Sequence, residues 1–370
     1  MKRRKILVVV GTRPEAIKMA PVIRALKQCE QFTCLVVATA QHRELMDQAL
    51  QEFGIEPDLD LDMMRPNQSL ATLTSRLLTD FEQALMELRP DAVLAQGDTT
   101  TVLAVALSCF YQRIPFGHVE AGLRTGDMST PFPEELNRVL ASRIAKWHFA
   151  PTLKARGNLL GEGVAEQDIH LTGNTVIDAL LHSLEHRKEP AATAHRSERL
   201  LLVTLHRRES FGAPLRGICS AIRGLVERNS DIHVLFPVHP NPNVKTPVEA
   251  ELGGHPRIEL CAPLSYHRFI AAMQAAYLVL SDSGGVQEEA PALGTPVLVL
   301  RNETERQEAI EHGMVKLVGT APEAITHATQ SLLDDPSAYA GMIKEASPYG
   351  DGQAAGRIVQ VLKEHFSTCA

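Results

Sequence analysis

Residues 5–18, KILVVVGTRPEAIK, decide the fold class. The apolar run Ile6–Val10 has the unbroken hydrophobicity of a strand buried on both faces. It stops at Gly11, and a helical pattern carrying Arg13 and Lys18 follows. A strand that runs through a glycine turn into a helix commonly presents its tip to an anion, because the helix start offers unpaired N–H groups. The spacing is neither G-x-G-x-x-G nor G-x-x-x-x-G-K-[ST], so the loop is not a dinucleotide fingerprint or a P-loop.

Outward from this stretch the pattern recurs. The first half continues with CLVVATA (34–40), DAVLAQGD (91–98), IPFGHVEA (114–121) and WHFAPT (147–152). The second half has LLLVTLHR (200–207), IHVLFPVH (232–239), YLVLSDSG (277–284), PVLVLR (296–301) and VKLVGT (315–320). Amphipathic helical stretches separate these runs, which implies right-handed βαβ crossovers and a doubly wound parallel sheet in each half. Two Rossmann-like α/β halves describe the GT-B architecture, with the active site expected in the cleft between them. The change of domain is expected within 171–200, where the chain turns polar and rich in Ala and Thr. Residues 1–172 then form the first domain, joined by a C-terminal helix over 350–370, and residues 173–349 form the second.

Composition excludes several classes. A chain of 370 residues exceeds one ordinary core, and 44% hydrophobic with 22% charged residues is the balance of a globular enzyme. A net charge of −7 argues against nucleic acid or an anionic membrane as a general partner. The six cysteines are scattered, without C-x-x-C or zinc spacing, as in a reducing compartment. The start MKRRKILVVVG has too short an apolar run for a signal peptide, and no stretch has the roughly 18 apolar residues of a membrane span. A cytoplasmic protein is expected.

In open parallel sheets ligands gather beyond the carboxyl ends of the strands, so the residues just after each run are the candidates. They are Gly11, Arg13 and Lys18; Gln41, His42 and Arg43; Asp98; His118, Glu120 and Arg124; His206, Arg207 and Arg208; His239; and Ser283, Gly284 and Gly285. In SDSGGVQEEAP the small residues let a diphosphate approach a helix start, and Glu289 could accept from ribose hydroxyls. Asp98, Glu120 and Glu134, near Arg13 and Lys18, suggest acid–base work on a substrate with an anionic leaving group. Each also has a plainer reading: Asp98 as a helix cap, and Glu134 as part of an ordinary Pro-Glu-Glu helix start. Glu120, ending an apolar run after His118, has the weakest such alternative. No metal is called for, since the carboxylates and histidines lack ligand spacing.

Ten segments together resemble, in order, the motifs of the non-hydrolysing UDP-N-acetylglucosamine 2-epimerases: GTRPEAIKMAPVI, TAQHRELMDQ, QGDTTT, GHVEAGLRT, PEELNR, TGNTVIDAL, HRRESFG, SDSGGVQEEAP, TERQEAI and PYGDGQAA. The resemblance implies a GT-B fold, a homodimer, and interconversion of UDP-GlcNAc and UDP-ManNAc. The reaction it implies eliminates UDP across C1–C2 to a 2-acetamidoglucal and adds it back, without a redox cofactor. It further implies that Lys18, Asp98, Glu120, Glu134 and His206 form the catalytic set. Arg13, His206, Ser283, Gly284, Gly285, Glu289 and Arg306 would contact UDP or its phosphates, making the second domain the UDP-binding one. On this resemblance the Gly11 loop holds the diphosphate end of the substrate. In some members a second UDP-GlcNAc activates the enzyme through the region matched by Gln41, His42 and Arg43. Leu205 departs from the small residue usual before the His-Arg-Arg run, where it would crowd the nucleotide. Alternatives on the same fold are a 2-epimerase of another UDP sugar, such as a diacetamido uronic acid, and a hydrolysing epimerase that releases ManNAc and UDP. A non-enzymatic nucleotide-sugar sensor is a further alternative, in which the three carboxylates are caps and surface charges.

Overall fold

Every apolar run expected to form a strand does so in the computed structural model, which describes residues 3–39, 43–65, 68–186, 199–344 and 347–368. The first sheet contains β1 (Arg4–Val10), β2 (Phe32–Ala38), β3 (Leu59–Asp60), β4 (Ala92–Gln96), β5 (Phe116–Val119), β6 (Trp147–Ala150) and β7 (Ile169–Leu171). Its order is β3-β2-β1-β4-β5-β6-β7, with all pairs parallel. The second contains β8 (Arg199–Thr204), β9 (Ile232–Pro237), β10 (Ile258–Cys261), β11 (Leu278–Ser281), β12 (Val297–Val299) and β13 (Val315–Leu317). Its order is β10-β9-β8-β11-β12-β13, again all parallel. Strand order reverses between β1 and β4, and between β8 and β11, so each sheet has a topological switch point there.

The sequence pattern missed β3, β7 and β10. All three are short edge strands with partly exposed residues, so they lack the continuous apolar run that marks a strand covered on both faces. The central strands are nearly dry: Ile6, Leu7, Val8 and Val10 are 0% exposed. Each such side chain contributes about 1.5–3 kcal/mol of transfer free energy. One core packs Leu7, Val9, Val93 and Phe116 against helix residues Val102 and Val105. The other packs Leu201, Val203, Phe236 and Leu280 against Ile218, Ile222 and Leu225.

The chain divides into two compact units, Met1–His182 with Tyr349–Ala370, and Ser183–Pro348. The helix Thr175–Glu185, expected with the second domain, therefore lies mostly in the first. Asp178 explains this, because its carboxylate accepts from the N–H groups of Ala354 and Ala355 at 3.2 and 2.9 Å. These residues open the C-terminal helix Ala354–Thr368, whose Phe366 meets Phe32 edge-on. Burial pushes the Cys34 and Cys219 thiols up to about 12, so they pack as small apolar groups. Among the described residues, no helix is long and apolar enough to cross a membrane.

Candidate active site

The helix Arg13–Gln28 starts where Thr12 accepts from the Glu15 N–H and Glu15 returns a bond to the Thr12 N–H. This capping box fixes the first turn, which carries Arg13 at its first position and brings Lys18 inward. Lys18 is 5% exposed, and its Nζ lies 2.5 Å from Glu120 Oε2. Gln96, the last residue of β4, donates to the same oxygen at 2.8 Å. Glu120 follows β5 directly and has φ +63°, an uncommon conformation for a non-glycine residue that turns the chain sharply at the strand tip.

Asp98 lies at the next tip but has a different partner. Its Oδ2 is 3.0 Å from Arg138 Nη2, and its backbone oxygen accepts from Asn137 Nδ2 at 2.8 Å. The side chain that caps the following helix is Thr99, not Asp98. Arg138 also pairs with Glu135 at 3.2 Å. Glu134, Asn137 and Arg138 share the helix Glu134–Ile144, so Glu134 stands one turn before the residues that hold Asp98. His118 completes the support: burial pushes its pKa down to about 3, and the neutral ring donates from Nε2 to the Gly97 carbonyl at 2.7 Å.

In the second unit the β8 and β11 tips meet through Asp282, which is fully buried. Its carboxylate accepts from the N–H groups of His206 (3.1 Å) and Arg207 (3.0 Å) and from the Ser210 hydroxyl (3.3 Å). Its Oδ1 also lies 3.1 Å from His206 Nδ1. Burial alone would raise its pKa, but the bond and charge of His206 and the two N–H donors outweigh this and lower it. The His206 side chain is 41% exposed, so its ring has a buried anchor and an open edge. Leu205 does not crowd this edge: it is 2% exposed and belongs to the hydrophobic core.

Ser283 precedes the helix Gly284–Ala292 and makes no side-chain cap bond, so the loop presents its hydroxyl and the first helical N–H groups together. Beneath it lies Arg306, whose Nε is 2.7 Å from Glu288 and whose Nη1 bonds Glu305. A Cβ on Gly284 would come 2.6 Å from Arg306 Nη1, so only glycine lets the loop sit this close to the guanidinium. Glu289, the expected ribose partner, accepts from the Tyr266 hydroxyl at 2.7 Å.

The structure thus joins Lys18 to Glu120, pairs Asp98 with Arg138 one helical turn after Glu134, and positions His206 at the tip of β8, tied to the residue before Ser283. Gln41 and His42 lie outside the described residues, and Arg43 opens the helix Arg43–Glu52. Glu15, Gln96, Arg138 and Asp282 were not singled out from sequence. For Glu15 a signal existed in the Thr-x-x-Glu spacing of residues 12–15. Among the described residues, His182, Glu185 and His186 alone are grouped closely enough to hold a metal ion, and Arg24 Nη1 bonds the Nε2 of His182.

Two doubly wound parallel sheets, each with a charged cluster at its switch point, define a GT-B-type α/β protein. A family model described as UDP-N-acetylglucosamine 2-epimerase matches residues 24–363. The chain is 50% identical over 374 residues to the UDP-N-acetylglucosamine 2-epimerase of Yersinia pestis, covering 98% of this chain and 100% of that one. It is likewise 50% identical over 371 residues to the enzyme of that name from Escherichia coli K12, covering 98% and 99%. The crystal structure of UDP-GlcNAc 2-epimerase from Neisseria meningitidis bound to UDP-GlcNAc superposes with a TM-score of 0.94 at 44% identity, covering 97% and 100%. The chain belongs to the UDP-N-acetylglucosamine 2-epimerase family.

Proposed function

We propose that this protein is a non-hydrolysing UDP-N-acetylglucosamine 2-epimerase that interconverts UDP-GlcNAc and UDP-ManNAc. The observation that carries the reading is the buried Lys18–Glu120 pair beside the Arg138-held Asp98, a proton-handling cluster at adjacent strand tips. Family membership, and a relative solved with UDP-GlcNAc bound, support the substrate. In this reading Ser283, Gly284 and Gly285 take the diphosphate at a helix start, Glu289 faces the ribose, Arg306 backs the loop, and Arg13 and His206 stabilise the leaving UDP.

The set Asp98, Glu120 and Glu134 removes the C2 proton. The C–H electron pair forms the C1=C2 bond of 2-acetamidoglucal, and the C1–O pair leaves with UDP. UDP then adds back to C1 while a proton returns to the opposite face of C2. Lys18 and Arg13 offset the negative charge that accumulates during elimination. Gln41, His42 and Arg43 are the candidate region for activation by a second substrate molecule. The product would supply ManNAc for cell-surface polysaccharide from the cytoplasm.

A homodimer is part of the same proposal. Exposed apolar side chains, Phe110 (64%), Tyr111 (65%) and Met86 (55%), lie on helices that pack together on one side of the first sheet. Sedimentation as a monomer at working concentration would remove this part of the reading.

The main test is proton NMR with UDP-GlcNAc in D2O. Deuterium entering C2 of both UDP-GlcNAc and newly formed UDP-ManNAc, with little free UDP, is expected. Accumulating ManNAc and UDP would replace the reading with a hydrolysing epimerase. Unchanged substrate would exclude UDP-GlcNAc.

A further inference from the structure

The turn after β1, the place where an anion was expected, is already filled by a carboxyl group of the chain itself. Gly11 and Thr12 both direct their N–H groups at Glu15 Oε2, at 2.6 and 2.9 Å, and the Thr99 hydroxyl donates to Oε1 at 2.6 Å. Glu15 is 3% exposed. Around Gly11 the space is closed, since an added Cβ would lie 2.5 Å from the Thr39 hydroxyl and 2.9 Å from that of Thr101. A phosphate entering this turn would compete for N–H groups that a buried carboxylate occupies.

The arrangement exceeds an ordinary capping box, which needs only the Thr12 bond. Gly11 adds a second backbone donor, and Thr99 comes from a loop 84 residues away at the tip of β4. The carboxylate therefore ties together the two strand tips that flank the switch point. One tip leads into the helix that carries Lys18, and the other contains Asp98. The second unit repeats the device, with Asp282 tying β8 to β11.

We propose that Glu15 is a positioning residue: the resident carboxyl group of the β1 turn, which excludes diphosphate from that turn and holds the Lys18 helix in register with the Asp98 loop. The inference rests on the functional reading of Lys18 and Asp98 given above. Burial, with Asp98 adding repulsion, holds the Glu15 pKa up at about 7 despite three hydrogen bonds. A residue kept only to cap a helix would do so at the surface without that penalty.

Hydrogen exchange of the full-length protein with and without UDP separates the two roles of the turn. UDP is expected to slow exchange over Ser283–Gly285, while the Gly11 and Thr12 amides are slow already and change less than twofold. In Glu15→Ala those two amides should exchange at least tenfold faster. Strong slowing of Gly11 and Thr12 by UDP in the unaltered protein would overturn the proposal, because the turn would then be taking ligand. For positioning, Glu15→Ala should lower C2 deuteration at saturating substrate at least tenfold with KM within threefold, and Glu15→Gln, which keeps an acceptor for both amides, should recover most of the rate. A large KM change with unaltered turnover would overturn it. Should Glu15→Ala fail to fold, Thr99→Val, compared with Thr99→Ser as the hydroxyl-keeping control, tests the same tie: full turnover in Thr99→Val would overturn the proposal. Absence of C2 deuteration by the unaltered protein would defeat the functional reading instead, and the amide exchange in Glu15→Ala would still decide what fills the turn.

Discussion

Lys18 and Glu120 meet as a buried ion pair that is only useful as a pair. Removing one partner leaves a desolvated charge behind, and such losses run to about 3–5 kcal/mol. Lys18→Met should therefore lower stability in urea by about that amount as well as abolish turnover, and the double variant with Glu120→Gln should regain much of the stability but none of the activity. Asp282 makes a second residue-level case. Asp282→Asn keeps the shape but loses an acceptor shared by His206 and Arg207, so the His206 ring loses its fixed orientation. Turnover should fall roughly tenfold or more with a smaller change in KM; equal turnover would remove the proposed role of His206. Glu120 and His206 were legible in sequence as strand-tip residues because each follows an apolar run, and Lys18 as a cation in the helix that the first run leads into. Their partners were not, since Lys18 finds Glu120 across 102 residues and His206 finds Asp282 across 76. Only the folded sheet makes such residues neighbours.

At the scale of an element, the helix Gly284–Ala292 is positioned by what lies under its first turn. Glu288 and Glu305 clamp the Arg306 guanidinium, so it cannot yield to a new methyl group on Gly284. Gly284→Ala should cost about 1–3 kcal/mol, as overpacking does, and weaken UDP binding. Gly285→Ala is the control, because its Cβ would meet only Glu289 Oε2, at an ordinary 3.5 Å. Equal urea midpoints for the two variants would contradict this account. The Gly-Gly of this loop was readable as a close-approach site, but what approaches from below was not. The family resemblance implies Arg306 as a ligand contact, and folding buries it against two glutamates. Strands were legible where an apolar run persists, which includes the edge strand β13, and illegible at the edges β3, β7 and β10, where polarity interrupts the run.

Across the whole molecule, buried titratable groups set the response to pH. Between about pH 4.5 and 7 the unfolded chain has lost the Glu15 proton that the folded protein keeps, so this group makes stability fall as pH rises. His118 and His148 act in the opposite sense. Burial lowers their pKa values to about 3 and about 4, so the unfolded chain takes up protons below pH 6.5 that the folded protein refuses. Each fully shifted group contributes about 1.4 kcal/mol per pH unit, and the histidines, with His170 and His365 lowered by burial in the same sense, outweigh the one glutamate. Stability should thus drop from pH 6.5 to 5, and drop further, by up to about 2 kcal/mol more, in Glu15→Gln, which lacks the opposing group. Urea titrations at the two pH values measure both, and an identical acid loss in the variant would mean that Glu15 does not titrate in this range.

Sequence alone determined that the chain makes two parallel sheets with chemistry at their tips. Burial on both faces demands continuous apolar runs, and connections between parallel strands demand helices, so both leave a local record. The ten motif segments carried the family in the same way, as linear strings. Tertiary structure alone decided which tip residues meet, among them the Thr99 hydroxyl that reaches the Glu15 carboxyl from 84 residues away. The Gly11 loop and the Ser283 loop look alike as sequence, each a strand ending in small residues before a helix. They differ because Glu15 folds back onto the amides of the first, whereas the Ser283 amide of the second bonds the Ser281 hydroxyl and Glu289 accepts from Tyr266. The Thr-x-x-Glu spacing records the local part of that choice, whereas the burial of Glu15 and its bond from Thr99 depend on distances that the order of residues does not carry.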